Sequence, residues 1–241
     1  MRILLINPNT TASVTDLVAG HVRRIAPEAT VVPVTGRFGA RYIATRAAVA
    51  VAGHAALDAL AAHVAGCDAV YLACFGDPGL PALQEVSPVP VVGMAEASCR
   101  AAAAAGRRFG IVTGGVNWPA MLTEFVMLQG LGGQLTGIRA VAPTGGEIAR
   151  DPDRALAQLA AACRACAEED GAEAVILGGA GLAGLAERVQ PQVPCPVVCS
   201  VEAGTRAVLV AARSAARRSA ADPVPSIGLA PPLDRLLLQA P

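Results

Sequence analysis

Long uncharged apolar stretches are absent from this 241-residue chain, although hydrophobic residues make up 54% of it. Its alanine- and valine-rich segments are broken by Arg, Asp, Glu, Pro and Gly before any reaches the roughly 20 apolar residues of a membrane helix. The hydropathy therefore predicts a large buried core and no membrane partner. An excess of charge is missing too, since 19 Lys and Arg balance 19 Asp and Glu. Phosphate binding needs a basic excess, so nucleic acid is not an expected partner. One Trp, two Tyr and four Phe are too few for a platform on which bases stack. Histidine is scarce: His21, His54 and His63 fall in helix candidates, at no metal-binding spacing and away from any strand end. That gives little support to a Ser/His/Asp or Cys/His hydrolase and no histidine metal site. The N-terminus, MRILLINPNTT, has only four successive apolar residues before Asn-Pro-Asn. A secretory leader needs a longer run, so a cytoplasmic protein with free thiols is expected.

What is present is alternation. Short apolar runs at Ile3–Ile6, Val31–Val34, Ala69–Ala73, Val89–Val92, Phe109–Val112, Ile138–Ala142, Ala174–Leu177 and Val197–Cys199 read as strands. Between them, helix patterns cover Thr10–Ala26, Tyr42–Ala65, Leu80–Glu85, Ala95–Ala105, Trp118–Gln129, Asp153–Glu169, Leu182–Val189 and Val201–Arg218. Strand–helix alternation predicts a parallel α/β fold. Runs apolar at nearly every position predict sheets covered on both faces. The Pro-rich tail from Ser219 is expected to carry little regular structure before Leu233.

The chain also repeats itself. DAVYLACFGDPGL at Asp68–Leu80 lies over EAVILGGAGLAGL at Glu173–Leu185, an offset of 105 residues. Gly76 meets Gly181, Gly79 meets Gly184, and Pro90-Val91-Val92 meets Pro196-Val197-Val198 one residue later. Upstream, Arg2–Asn7 lies over Arg108–Thr113. Two pseudo-symmetric Rossmann-like domains follow, each a four-stranded parallel sheet flanked by helices, with the active-site cleft expected between them. The first comprises 1–98 plus about 205–241, the second 99–204. Ligands of open α/β sheets sit beyond the carboxyl ends of the strands. Asn7–Thr10, Cys74–Gly79, Thr113–Asn117 and Gly179–Gly184 are thus the candidate segments.

Gly179-Ala-Gly181-Leu-Ala-Gly184 has the form of a dinucleotide fingerprint. The repeat assigns its glycines to a turn that both halves share, so no cofactor is expected. Cys163-x-x-Cys166 falls inside the helix pattern LAQLAAACRACAEED. It reads, like Cys67 and Cys99, as small apolar packing and not as zinc ligation; no metal is expected. Cys74 differs, because it ends an apolar strand and opens Cys-Phe-Gly-Asp-Pro-Gly. With Pro78 in the first turn of a helix and Asp77 as its cap, a thiol there is expected to have its thiolate favoured. Such a group serves as a base on a carbon acid or as a nucleophile.

The strings Ile6-Asn7-Pro8-Asn9-Thr10, Ala73-Cys74-Phe75-Gly76-Asp77-Pro78-Gly79, Pro90–Ala97, Ile111-Val112-Thr113 and Asp170–Ala174 carry a resemblance up to about Arg213. The sequence resembles the hydantoin/allantoin racemase branch of the aspartate/glutamate racemase superfamily. The resemblance implies a cofactor-independent isomerase, a homo-oligomer, that moves a proton at a carbon next to a carbonyl. It implies two cysteines on opposite faces of the substrate, acting in turn as base and acid. Cys74 matches the first; the second falls where this chain reads Leu177-Gly178-Gly179-Ala180-Gly181. The repeat agrees, since Cys74 pairs with Gly179. A cysteine placed at Gly179 is accordingly expected to be tolerated. Cys199, Thr113, Thr10 or water would supply the second proton. Alternatively the enzyme is a single-cysteine decarboxylase or a double-bond isomerase of the superfamily, as arylmalonate decarboxylase works with one cysteine, or a non-catalytic binding protein. The expected substrate is a small carbonyl compound: hydantoin, amino-acid-like or malonate-like. Asn9 and Thr10, at the start of the first helix, are expected to hold its carbonyl or carboxylate through side-chain and backbone donors, as are Thr113, Gly114 and Gly115. Phe75 would wall it. Gly179 and Ala180 would leave space and N–H groups opposite Cys74.

Overall fold

The computed structural model describes residues 1–214, 223 and 225–238. It divides into two compact units. Unit 1 comprises 1–73, 77–93 and the described residues from Thr205 on; unit 2 comprises 74–76 and 94–204.

Unit 1 opens with β1 (Arg2–Asn7), α1 (Ala12–Ile25), β2 (Thr30–Thr35) and α2 (Arg46–His63). It continues through β3 (Ala69–Leu72), α3 (Leu80–Val86) and β4 (Val91–Gly93). All pairing is parallel, in the order β2-β1-β3-β4. β3 is buried at every residue, as a strand covered on both faces must be. One face carries Leu4, Ile6, Val70 and Leu72, which pack against Ala56 and Leu60 of α2 and Leu80 and Leu83 of α3. On α1, Val14, Val18 and Val22 recur every four residues and form its buried stripe.

Unit 2 contains α4 (Met94–Ala102), β5 (Phe109–Gly114), α5 (Trp118–Leu128), β6 (Leu135–Val141), α6 (Gly145–Arg150) and α7 (Pro152–Glu168). β7 (Ala174–Gly178), α8 (Leu185–Val189) and β8 (Val197–Cys199) follow, and α9 (Ser200–Arg213) leads out of it. Its sheet has the same order, β6-β5-β7-β8. Val112, Val175 and Leu177 pack against Leu159 and Cys163 of α7 and Leu185 and Val189 of α8. Cys163 and Cys166 are fully buried on that face of α7, and burial pushes both thiols up to about 12. The last helix, α10 (Pro231–Leu238), packs on α2 and buries Leu233.

The repeat holds register for register. Ile3 pairs with Ala69 and Ile6 with Leu72; Phe109 pairs with Ala174 and Val112 with Leu177. Val70 faces Val91 as Val175 faces Val197. Even the strand-end carboxylates match: Asp68 accepts the Arg2 N–H at 2.7 Å and Glu173 the Arg108 N–H at 2.7 Å.

Several helix limits differ from the sequence reading. The second helix starts at Arg46, not Tyr42, because Thr45 caps it by accepting the Ala48 N–H at 3.1 Å. α6 was not expected, and a Thr144–Glu147 capping box starts it. The Leu182–Val189 pattern splits into a 3-10 turn at Ala180–Leu182 and α8, because Gly184 is left-handed (φ 78°). The Ala95–Ala105 pattern ends at Ala102, with a 3-10 turn after it. The last long helix ends at Arg213; 215–218 of its expected span lie outside the described residues. Among the described residues no helix is long and apolar enough to cross a membrane.

Candidate active site

In each sheet the chain leaves its two inner strands in opposite directions, and the loops after them diverge. In α/β sheets this is where ligands bind. In unit 1 the loop after β1 is a hydrogen-bonded knot. Fully buried Asn7 donates through Nδ2 to Asn9 Oδ1 and Thr15 Oγ1, both at 3.0 Å. Asn9 Oδ1 also accepts the Thr11 N–H at 2.9 Å. Those two bonds fix the Asn9 amide so that its NH2 points away from the knot, and Asn9 stays half-buried. α1 starts at Ala12, two residues later than expected, with Thr11 at its cap position. The Thr10 N–H is committed to the Ala40 carbonyl at 3.1 Å, so it is not the backbone donor expected for a substrate.

Cys74 follows β3 directly, since Ala73 donates to the Ile6 carbonyl at 2.8 Å as a continuation of the sheet. It is 8% exposed. The expected helix N-terminus beside it is not there. α3 begins at Leu80 with left-handed Gly79 (φ 78°) at its cap position, and Pro81, not Pro78, lies in its first turn. Asp77 is therefore not its cap. The cause is a run of left-handed residues: Gly76 at φ 120°, Asp77 at 45° and Gly79 at 78°. Phe75 is buried, and its ring lies on the α-carbon of Gly178, where a Cβ would overlap it. A Cβ at Gly76 would stand 2.7 Å from the indole of Trp118. Phe75 and Gly178 thus meet at the end of β7, each the chain neighbour of one candidate, Cys74 and Gly179.

The other unit 2 candidates offer fewer donors than expected. Thr113 is 4% exposed at the end of β5. A Cβ at Gly114 would meet Ile148 Cδ1 and the Pro143 carbonyl at 2.8 Å, so α6 already fills that space. The Gly115 N–H is bonded to the Val141 carbonyl at 2.9 Å. The Gly179 N–H donates to Ser200 Oγ at 3.1 Å, so it too is spent. Gly179 has φ 146°, and a Cβ on it would stand 3.0 Å from Leu182 Cδ1. Space is therefore not open there. Ala180 is half-buried at the start of the 3-10 turn. Cys199 ends β8 opposite Leu177, partly exposed, and packs with Val197 against the α7–α8 core. A groove of about 560 Å³ opens beside Pro143, Ile148, Arg150 and Arg154, and none of the expected site residues lines it.

Trp118 and Ser200 were missed by sequence reasoning. Trp118 looked like a helix starter, and nothing in sequence brings it to Gly76. Ser200 directly follows a strand and starts a helix, the place where a hydroxyl serves a backbone N–H; that signal was available.

Two copies of one four-stranded parallel unit, with a cysteine and glycines in the strand-end turns, define a duplicated α/β protein. Residues 3–208 match the family described as Asp/Glu/Hydantoin racemase, and the chain belongs to that family, in its hydantoin/allantoin branch. It is 32% identical to the hydantoin racemase of Pseudomonas sp. (strain NS671) over 86% of this chain and 84% of that one. It is 33% identical to the hydantoin racemase of Paenarthrobacter aurescens over 86% and 89%. The crystal structure of allantoin racemase from Pseudomonas fluorescens superposes with TM-score 0.89 and 31% identity, covering 95% of this chain and all of that one. Arylmalonate decarboxylase, 21% identical with TM-score 0.64 over 88% and 92%, shares the fold.

Proposed function

We propose that this chain racemises a small carbonyl compound of the hydantoin or allantoin class by cysteine-mediated proton transfer, without a cofactor. Cys74 is the base. Its thiolate takes the proton from the carbon next to the carbonyl, and the electron pair of that C–H bond moves onto the carbonyl oxygen as an enolate. Return of a proton to the opposite face, with the pair returning to carbon, gives the other enantiomer. The observation that carries this reading is the placement of Cys74 at the end of an inner strand, in a turn held by close packing on both sides. A positioned proton-transfer group contributes about 10²–10⁴-fold to rate.

Cys199 is assigned the second proton, as the partly exposed thiol that ends β8 beside β7. Asn9, Thr10, Phe75, Thr113 and Ala180 remain the candidate contacts. Gly114, Gly115 and Gly179 act through their shape, not through free N–H groups.

One observation favours a second reading. Gly179 stands where the family resemblance asks for a cysteine, and its backbone is one that L side chains rarely adopt. That suits a reaction that needs only one thiol, such as decarboxylation of a malonate-like acid or movement of a double bond. The test is deuterium uptake from solvent at C5 of single enantiomers of 5-methylhydantoin. Wild type should exchange both enantiomers, and Cys74→Ala, equally folded, should lose exchange of the enantiomer whose C5 hydrogen faces Cys74. Equal exchange by both proteins would remove Cys74 from the chemistry.

A further inference from the structure

Asp77 is the least expected residue of the turn that carries Cys74. It is a buried carboxylate, 3% exposed. Its φ of 45° is left-handed, a conformation that non-glycine residues adopt sparingly and Asp and Asn more readily than the rest. Of all the described non-glycine residues only Ala105 shares that feature. Glycine would be the cheap choice, and both neighbours in the same turn, Gly76 and Gly79, are glycine. A strained backbone persists only when its surroundings over-determine it, and the strain is then a pointer to function.

The surroundings do over-determine it. The Asp77 carboxylate lies on the α-carbon of Gly93, at the end of β4, so closely that a Cβ on Gly93 would overlap it. The Asp77 carbonyl accepts the Leu80 N–H at 3.1 Å. Gly79 is pressed against Gly53 of α2, where a Cβ on Gly79 would stand 2.9 Å from the Gly53 α-carbon. At the other end of the turn Gly76 abuts Trp118. Within unit 1 the turn is thus wedged at two places, and the wedge at Asp77 is the one made by a polar side chain.

The repeat shows what the wedge replaces. Asp77 aligns with Leu182 and Gly93 with Cys199. In the second repeat the corresponding turn is held differently, by the Gly179 N–H on Ser200 Oγ, and its third residue from Gly179 is an apolar core side chain. The half that carries the reactive cysteine is the half in which a strained aspartate stands on a glycine.

We propose that Asp77 is a positioning residue for Cys74: its carboxylate, seated on Gly93, fixes the Cys74–Gly79 turn and so fixes the direction of the thiol. It acts through shape more than through charge, so asparagine, of the same outline and tolerant of the left-handed backbone, should replace it. The inference rests on Cys74 being the reactive group, as proposed above.

Two measurements on full-length protein separate the two ideas. One is the steady-state exchange of C5 deuterium on single enantiomers of 5-methylhydantoin. The other is the rate at which iodoacetamide alkylates Cys74, followed by peptide mass, which needs no turnover. Asp77→Ala and Gly93→Ala should each lower kcat at least tenfold with KM within threefold. The same two variants should raise Cys74 alkylation at least threefold, since a loosened turn exposes a thiol now 8% accessible. Asp77→Asn should keep at least a third of wild-type kcat and alkylate at the wild-type rate. If Asp77→Ala does not fold, Asp77→Gly takes its place, because glycine relieves the backbone while removing the carboxylate. A folded Asp77→Ala or Asp77→Gly with wild-type kcat and wild-type alkylation overturns the proposal. So does an Asp77→Asn as impaired as Asp77→Ala, which would make charge, not shape, the agent. If wild type exchanges no proton at all, the racemase reading fails, while the alkylation series still decides whether Asp77 sets the thiol.

Discussion

At the scale of single residues, the seven cysteines separate by environment. Cys163 and Cys166 are held as neutral thiols near 12 by burial against the unit 2 core. The unfolded chain ionises them near the ordinary value of about 8.5. A folded pKa above the unfolded one contributes stability that is complete below pH about 8.5 and is lost as pH rises toward 12. Unfolding midpoints in urea should therefore fall between pH 9 and 11, and a Cys163→Ala, Cys166→Ala double variant should show a flatter profile over that window. A parallel fall in both proteins would remove the thiols from the account. Gly179 shows the opposite case, in which a sequence argument is corrected by backbone. Its repeat partner is a cysteine, so a cysteine at 179 looked tolerable. Cys74, however, is not among the left-handed residues, whereas Gly179 is at φ 146° with Leu182 beside it. Gly179→Cys should cost about 1–3 kcal/mol, read as a lower urea midpoint, and should not raise racemisation. A variant as stable as wild type would mean that the turn relaxes at little cost.

At the scale of elements, the strands and most helices are legible because their signals are local. β3 and β7 are apolar at every position, and α1 and α7 show clean helical spacing. The register match between β1–β3 and β5–β7 follows from the 105-residue offset. What is not legible is decided by contacts between distant residues. The helix starts at Leu80, as its pattern says, but the cap read at Asp77 and Pro78 is not there: left-handed Asp77 and Gly79, wedged on Gly93 and Gly53, put Gly79 at the cap position. α6 illustrates both kinds of signal. Its capping box could be read in Thr144-Gly-Gly-Glu147, with the Thr144 N–H donating to Glu147 at 2.8 Å. Its seat could not, because it depends on glycines 31 and 36 residues away: Gly114, and Gly181, where a Cβ would overlap the Gly145 carbonyl. Thr144→Ala should lower stability by about 1 kcal/mol, the usual cost of losing a cap. Gly181→Ala should cost more, about 1–3 kcal/mol, because backbone and not a flexible side chain must move. Urea midpoints in the reverse order would show that α6 is held by its cap and not by its seat.

At the scale of the whole molecule, duplication supplies two similar frames and leaves Cys74 in one of them where the other has Gly179. The rest of the site is less legible in sequence than the frame. Asn9 kept a directed amide, but the backbone donors expected at Thr10, Gly115 and Gly179 are already bonded. Local composition cannot show such commitments, because their acceptors, Ala40, Val141 and Ser200, come from other elements. In the proposed reaction, deuterium labelling separates the sources of the second proton. If Cys74 removes a proton from one face and Cys199 delivers one to the other, each inversion in D2O puts a solvent deuteron into the product. Recovered starting enantiomer then stays largely unlabelled at early times. If Cys74 alone serves, it returns deuterons to the face it deprotonated, and the starting enantiomer becomes labelled faster than it inverts. Wild type is expected to follow the first pattern with both enantiomers of 5-methylhydantoin. Cys199→Ala should change to the second, with exchange confined to one enantiomer and optical inversion lowered about 10²-fold or more, the lower end of what a positioned proton donor contributes. Chiral chromatography with mass detection follows both quantities in one sample. Unchanged inversion in Cys199→Ala would remove Cys199 and leave Thr113, Thr10 or water as the source of the second proton. Labelling without inversion in wild type would favour the one-thiol chemistry to which the closed turn at Gly179 points.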